Sequence, residues 1–187
     1  LSSLVERNGG KAVHVGITED RPKALLEKAE GFENVDICVT IGGASVGDHD
    51  LVQPILTKAG LTVDFWKIAM KPGKPLLYGD FRGKPFIGLP GNPVSAMVCA
   101  QLYLIPAIQA MIGVNRNPHR LVKAVIDQDI GENGPRQDYM RAICSQTPDG
   151  FNVSPLNRQD SSMLSALSQS NCYIVRQPNA PALRSGD

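Results

Sequence analysis

Three ammonium groups, Lys67, Lys71 and Lys74, fall within eight residues of one another, broken up by Pro72 and Gly73 and closed by Pro75. A helix cannot persist through that composition. Proline fixes φ on both sides of Gly73-Lys74, so the lysines belong to a stiffened loop that positions their charge, and lysine binds phosphate-like anions as a point charge. Upstream lies Gly42-Gly43-Ala44-Ser45-Val46-Gly47, followed by Asp48-His49-Asp50. The glycines allow backbone N–H groups to approach a ligand with no side chain intervening. The two carboxylates have two readings. Asp48 or Asp50 caps the next helix, worth about 1 kcal/mol, or they bind magnesium, a hard cation that takes one or two carboxylates along with substrate oxygens. Downstream, Leu89-Pro90-Gly91-Asn92-Pro93 opens a helix, with Asn92 as N-cap, Pro93 as first helical residue and Ser95 in the first turn. The free N–H groups and positive dipole end of that helix favour an anion. Taken together, these loops are suited to gripping a phosphorylated ligand with a divalent metal.

Each feature also has a plainer use: a double glycine makes a tight strand-to-helix turn, Asn92 caps a helix and a lysine run solvates a surface. What raises the functional reading is that all three loops directly follow a hydrophobic strand-like run. In a mostly parallel α/β sheet such loops emerge at the carboxyl edge, where ligands bind. No Ser-His-Asp set in recognisable context and no Cys/His cluster of zinc spacing is present in the sequence. His49 reads as a solvated helix-start residue, and His14 and His119 as strand-edge or linker residues.

The elements that must position these loops are legible from periodicity. An amphipathic helix opens the chain, with Leu1, Leu4 and Val5 on one face and Asn8-Gly9-Gly10 as its stop. Lys11 to Gly16 reads as a short strand, and Asp20 to Ala29 as a helix with Asp20 near the cap and Pro22 in the first turn. Val35 to Ile41 is a strand buried on both faces. A helix from about His49 to Lys58 follows, then a strand from Leu61 to Trp66. Leu76 to Tyr78 and Pro85 to Gly88 form a hairpin, and a long helix from about Pro93 to Ile112 ends at Gly113. This alternation predicts an α/β fold with a doubly wound, mostly parallel sheet and one antiparallel hairpin. Beyond it the pattern becomes short strands, Leu121 to Ile126, Tyr139 to Cys144, Gly150 to Val153 and Cys172 to Val175, separated by Asn, Asp, Gly and Pro. We therefore expect an α/β domain over residues 1–113 and a small all-β subdomain over 114–187, linked at Asn115 to Pro118.

The 187 residues, 42% hydrophobic and 20% charged, are ordinary globular composition. A net charge of +1 gives no whole-protein reason to expect nucleic acid or an acidic membrane, so anion binding must be local. The four cysteines are widely spaced, and three lie in apolar runs, which favours buried free thiols in a reducing cytosol. No apolar run is expected to approach membrane-spanning length, and no signal peptide pattern opens the chain. The absence of an initial Met and the helix ahead of any strand are read as marks of a fragment.

At the three loops together the sequence resembles the molybdopterin molybdotransferases, the family that includes the gephyrin E domain. The matching segments run from Gly42 to Asp50, from Phe65 to Pro75 and from Gly88 to Ala96, in the same order and at fitting intervals. Arg136 to Arg141 and Ser162 to Leu167 resemble that family's C-terminal β subdomain. The resemblance implies the last step of molybdenum cofactor synthesis: adenylylated molybdopterin is cleaved, molybdate is inserted at the dithiolene and AMP leaves, with Mg2+ assisting. It implies that Asp48 contacts the metal or its water shell, with Asp50 as the second metal-binding carboxylate, and that Lys67 and Lys71 neutralise molybdate or phosphate charge. It further implies that Gly42, Gly43, Ser45, Lys74, Pro90, Gly91, Asn92, Pro93 and Ser95 cradle the pterin-phosphate portion. The expected setting is cytoplasmic, with a homodimer in the full-length protein and a molybdopterin adenylyltransferase as upstream partner. Two N-terminal subdomains of the family, and a first strand ending in Asp-Ser-Asn, have no counterpart here, so the chain is expected to bind ligand but to be incomplete for catalysis. The alternatives are a molybdopterin adenylyltransferase, which lacks the Lys71-Pro72-Gly73-Lys74-Pro75 block, and a non-catalytic receptor-binding scaffold of the gephyrin type.

Overall fold

The structure is a computed structural model that describes residues 1–19, 21–43, 52–114, 119–160 and 164–187. The chain forms two compact units. The first holds Leu1–Ile68 and Gly73–Pro118, and the second holds Ala69–Pro72 and His119–Asp187.

In the first unit a four-stranded sheet has the order β1 (Cys38–Ile41), β5 (Lys84–Leu89), β4 (Leu77–Phe81), β2 (Leu61–Trp66). β1 pairs with β5 in parallel, while β4 is antiparallel to both β5 and β2. Strands β1, β5 and β2 thus point the same way, and only β4 is reversed. The β4–β5 hairpin turns at Arg82 and Gly83, both at positive φ (55° and 84°), as a two-residue turn that follows strand twist requires. Gly83 N–H donates to Asp80 Oδ1 at 2.7 Å, fixing the turn. Phe32, Phe81 and Phe86 meet edge to face or tilted, with Cys38, Leu56, Leu61 and Leu77, in the core. Helices α2 (Pro22–Ala29) and α3 (Val52–Lys58) supply Ala29 and Leu56 to it.

A long helix runs from Pro93 to Met111 as α4 (Pro93–Cys99), a π turn (Ala100–Leu104) and α5 (Ile105–Met111). By length and composition this 19-residue helix is apolar enough to cross a membrane, which the sequence reading had not credited to any run. Its apolarity has a use within the unit, because Val94, Val98, Cys99, Ala100, Leu104, Ile105 and Ile108 are buried. The opening helix α1 (Ser2–Arg7) ends at Asn8, and Asn8 Oδ1 accepts from Gln109 Nε2 at 3.4 Å.

Lys11 to Gly16, read as a strand, joins no ladder. Its backbone is bonded locally: Val15 C=O accepts from Lys28 Nζ at 2.8 Å and Gly16 N–H donates to His14 Nδ1 at 3.1 Å. Asp20, expected near the cap of α2, lies outside the described residues, and the cap position is taken by Arg21 with no side-chain hydrogen bond.

The second unit is β-rich. Its sheet runs β3 (Met70–Lys71), β7 (Gln137–Thr147), β8 (Gly150–Pro155), β6 (Val125–Ile126), and β9 (Cys172–Arg176) also pairs with β7. One short helix, α6 (Leu164–Gln169), precedes β9. A small core gathers Ile126, Ala142 and Val153, with Cys144, Cys172 and Leu183 against them. Strand β3 comes from the middle of the lysine loop. The chain leaves the first unit after Ile68, adds two residues to the second unit's sheet and returns at Gly73.

Candidate functional site

The glycine loop and the third loop meet because their strands are neighbours. The β1–β5 register ends at Ile41↔Leu89, so both strands stop at the same level. Gly42 N–H donates to Leu89 C=O at 3.0 Å, continuing the ladder one step beyond the strands. The two backbones then abut: a Cβ on Gly91 would lie 3.4 Å from the Gly42 Cα. Gly42 and Gly43 both have positive φ (82° and 69°), which side-chain-bearing residues rarely adopt. At Gly43 the constraint is steric as well, since a Cβ would fall 2.0 Å from Val52 Cγ2.

Past this contact, Asn92 caps α4 through its side chain: Oδ1 accepts from Ser95 N–H at 3.2 Å. Ser95 is buried, and its hydroxyl donates to the same oxygen at 3.4 Å, so it faces its own cap. Pro90 is buried, whereas Gly91 and Pro93 are exposed.

The lysine loop springs from the same sheet edge, because β2 ends there and β4 begins there. With β4 between them, the ends of β2 and β5 are about 10 Å apart, two strand spacings. Lys67 stands at φ 67°. Its N–H donates to Leu76 C=O at 3.0 Å, and Ile68 N–H donates to Lys74 C=O at 2.9 Å, so Lys67 and Lys74 are drawn together across the loop base. The Lys67 ammonium sits 3.9 Å from the centroid of the Trp66 ring, a cation–π contact. Gly73 C=O accepts from the Cys99 thiol at 3.9 Å, tying the loop's return to the long helix. Burial pushes the Cys99 thiol up to about 12, so it stays protonated and able to donate.

Lys71 is placed differently. Within the second unit it lies on β3, and its ammonium is 3.2 Å from Asp138 Oδ2. Among the described residues, Asp138 is one of three charged residues buried in that unit, with Arg141 (1% exposed) and Arg176 (5%). Gln159 clamps the Arg141 backbone by accepting its N–H and donating to its C=O, at 2.9 and 2.8 Å. Burial lowers the Arg141 pKa, and Tyr173, Asp138 and Asp160 oppose that shift. None of the three was singled out as a site residue from the sequence, although charges inside an apolar alternating strand are a readable signal of buried pairing.

Ser45, Asp48 and Asp50 lie outside the described residues. Among the described residues no three His, Cys, Asp or Glu gather as a metal cluster. The described part of the first unit offers backbone N–H groups, a capped helix start and two ammonium groups. That set suits binding and charge neutralisation of an oxyanion or phosphate, not covalent attack.

Two sequence profiles match this chain. The profile of the family described as "Probable molybdopterin binding domain" covers residues 1–110. The chain belongs to this family. A second profile, described as "MoeA C-terminal region (domain IV)", covers residues 123–187. Among relatives, the molybdopterin molybdenumtransferase of Haemophilus influenzae is 33% identical over 190 residues, covering 98% of this chain and 46% of that protein. The enzyme of the same name from Nostoc is 34% identical over 145 residues, covering 75% of this chain and 33% of its own length. The chain therefore spans less than half the length of these relatives. In fold it superposes on a molybdenum cofactor biosynthesis protein from Pyrococcus furiosus with a TM-score of 0.77 at 21% identity, covering 100% of this chain and 60% of that one. For a molybdopterin biosynthesis MoeA protein from Pyrococcus horikoshii the TM-score is 0.78 at 22% identity, covering 44% of that chain.

Proposed function

We propose that this chain supplies the molybdopterin-binding module and the C-terminal β module of a molybdopterin molybdenumtransferase, which cleaves adenylylated molybdopterin, releases AMP and places molybdate on the dithiolene. The observation that carries this reading is the apposition of Gly42 and Gly91 at the ends of two parallel strands, at the edge from which Lys67 and Lys74 also rise. Backbone N–H groups there suit the pterin's phosphate, and the ammonium groups offset the charge of phosphate or molybdate without being consumed. In this reading Lys67 and Lys71 act on the reacting anions. Gly42, Gly43, Ser45, Lys74, Pro90, Gly91, Asn92, Pro93 and Ser95 belong to the cradle. Asp48 and Asp50 hold Mg2+, whose contribution is to polarise phosphate oxygens. The reading extends to a cytoplasmic homodimer in the full-length protein, supplied by a molybdopterin adenylyltransferase.

Isothermal titration of the 187-residue chain with molybdopterin and with its adenylylated form tests the reading. Saturable binding of both is expected, with little or no AMP release when molybdate is added. Binding of neither form overturns it. ATP-dependent attachment of AMP to molybdopterin would assign the chain to the adenylyltransferases, and binding of a receptor peptide without any pterin would make it a scaffold.

A further inference from the structure

Lys71 belongs to a row of three charges laid across adjacent strands of the second unit's sheet. In the parallel β3–β7 register Lys71 is opposite Asp138, and in the antiparallel β7–β9 register Asp138 is opposite Arg176. Residues in register share a sheet face, so one carboxylate lies between two cations. The arrangement is anchored by backbone: Gln137 N–H donates to Ala69 C=O at 2.9 Å, completing the attachment of β3. Exposure is graded along the row. Arg176 is 5% exposed and Asp138 8%, whereas the Lys71 side chain is 49% exposed. Arg176 gives Nη2 to Ala180 C=O at 3.4 Å and to Pro181 C=O, while its Nη1 is buried without a hydrogen bond. The row therefore has a fixed inner end and a solvent-facing ammonium at its outer end.

We propose that Asp138 is a positioning residue for Lys71, holding the ammonium in one orientation so that it meets an anionic ligand without first losing its rotamer freedom. This rests on the functional reading above, in which Lys71 acts on phosphate or molybdate. A lysine on a loop has four rotatable side-chain bonds and loses that freedom on binding; a buried carboxylate 3.2 Å from the ammonium removes part of the loss beforehand. Asp138 also cancels charge near the ligand. A half-exposed pair is screened by solvent, however, so orientation outweighs net charge.

The test is a double-mutant cycle in the 187-residue chain, using Lys71→Met, Asp138→Asn and both together. Molybdopterin affinity is read by titration, and acylation of Lys71 and Lys74 by an amine-reactive ester is read by mass spectrometry. We expect each single change to weaken binding about tenfold, the size of one charge-assisted contact, and the double change to add nothing further. Acylation of Lys71 should speed up severalfold in Asp138→Asn while Lys74 stays unchanged. Multiplying effects, an unchanged Lys71 acylation rate, or tighter binding in Asp138→Asn would overturn the proposal, the last by making Asp138 a competing counter-ion. If wild-type chain binds no molybdopterin, the functional reading fails, and the acylation rates alone decide whether Asp138 holds Lys71. Asp138→Glu keeps a charge beside Arg176 while moving the carboxylate by one methylene. Should Asp138→Asn fail to fold, faster acylation of Lys71 in this variant supports the hold and an unchanged rate sinks it.

Discussion

The two units place the groups that the proposed function assigns to anion binding by opposite means. In the first, the groups at the β1 and β5 ends are backbone, placed by a ladder that runs one step past the strands to Gly42. In the second, Lys71 is a long side chain on a two-residue strand, held by a buried carboxylate. Backbone placement is rigid and indifferent to salt, but it fails when a single Cβ intrudes. Side-chain placement tolerates changes in shape but depends on a charge being present. Under the proposed function the glycines would fix where a ligand lies and the lysines would supply the charge.

The strongest way to break the contrast is at Gly43. Gly43→Ala adds a Cβ 2.0 Å from Val52 Cγ2 at φ 69°, and strain plus overlap cost about 3 kcal/mol. Amide hydrogen exchange should speed up throughout β4 and β5 while β7 and β8 keep their protection. Equal loss in both units would erase the distinction between them.

A smaller effect lies at the tie between the lysine loop and the long helix. Burial pushes the Cys99 thiol up to about 12, from an ordinary 9.0. The folded state therefore keeps a proton that the unfolded chain releases, and stability is full below pH 9 and falls as pH rises towards 12. The slope is about 1.4 kcal/mol per pH unit for one proton. Urea titrations at pH 8 and pH 10 should show this fall, and Cys99→Ala should reduce it, leaving the smaller part due to Cys38, Cys172 and Tyr139, which burial also raises.

The smallest effect is at Asn92. Asn92→Ala removes the bond to Ser95 N–H and should lower stability by about 1 kcal/mol, read as a shift in thermal midpoint. Asn92→Asp should restore it. A loss several times larger would mean that the cap also holds the Gly42–Gly91 contact together.

Much of this was readable from the residues because it depends on local pattern. The apolar run to Ile41, the strand from Leu61 to Trp66 and the Asn92-Pro93 helix start all announce themselves within a few positions; the last two became the elements expected, whereas the first is a strand only over Cys38–Ile41, with Ile41 58% exposed instead of buried on both faces. Lys11 to Gly16 has strand composition but no partner among the described residues; pairing is a tertiary event that composition does not contain. The same limit hid β3. Pro72 and Gly73 mark an irregular loop, yet Met70 and Lys71 form a strand because Gln137 and Asp138, far along the chain, offer them an edge. The hairpin itself was visible, but Gly79 to Phe81, expected in its loop, extend β4, so the turn narrows to Arg82 and Gly83, and the positive φ at Arg82 was not visible. Gly42 and Gly43 could be read as backbone-approach positions, but their dependence on Gly91 and Val52 could not.

The route of the chain through β3 also has a consequence for how the protein is made. Met70 and Lys71 emerge from the ribosome 67 residues before Gln137 and Asp138, their partners in the sheet. At 5–20 residues per second that is a wait of roughly 3–13 s. During the wait these two residues have no ladder partner, and unpaired backbone of this kind is what recruits wrong neighbours. A two-residue length, a lysine charge and the following proline are the features that blunt such pairing, so this part of the lysine loop is suited to waiting unpaired during synthesis.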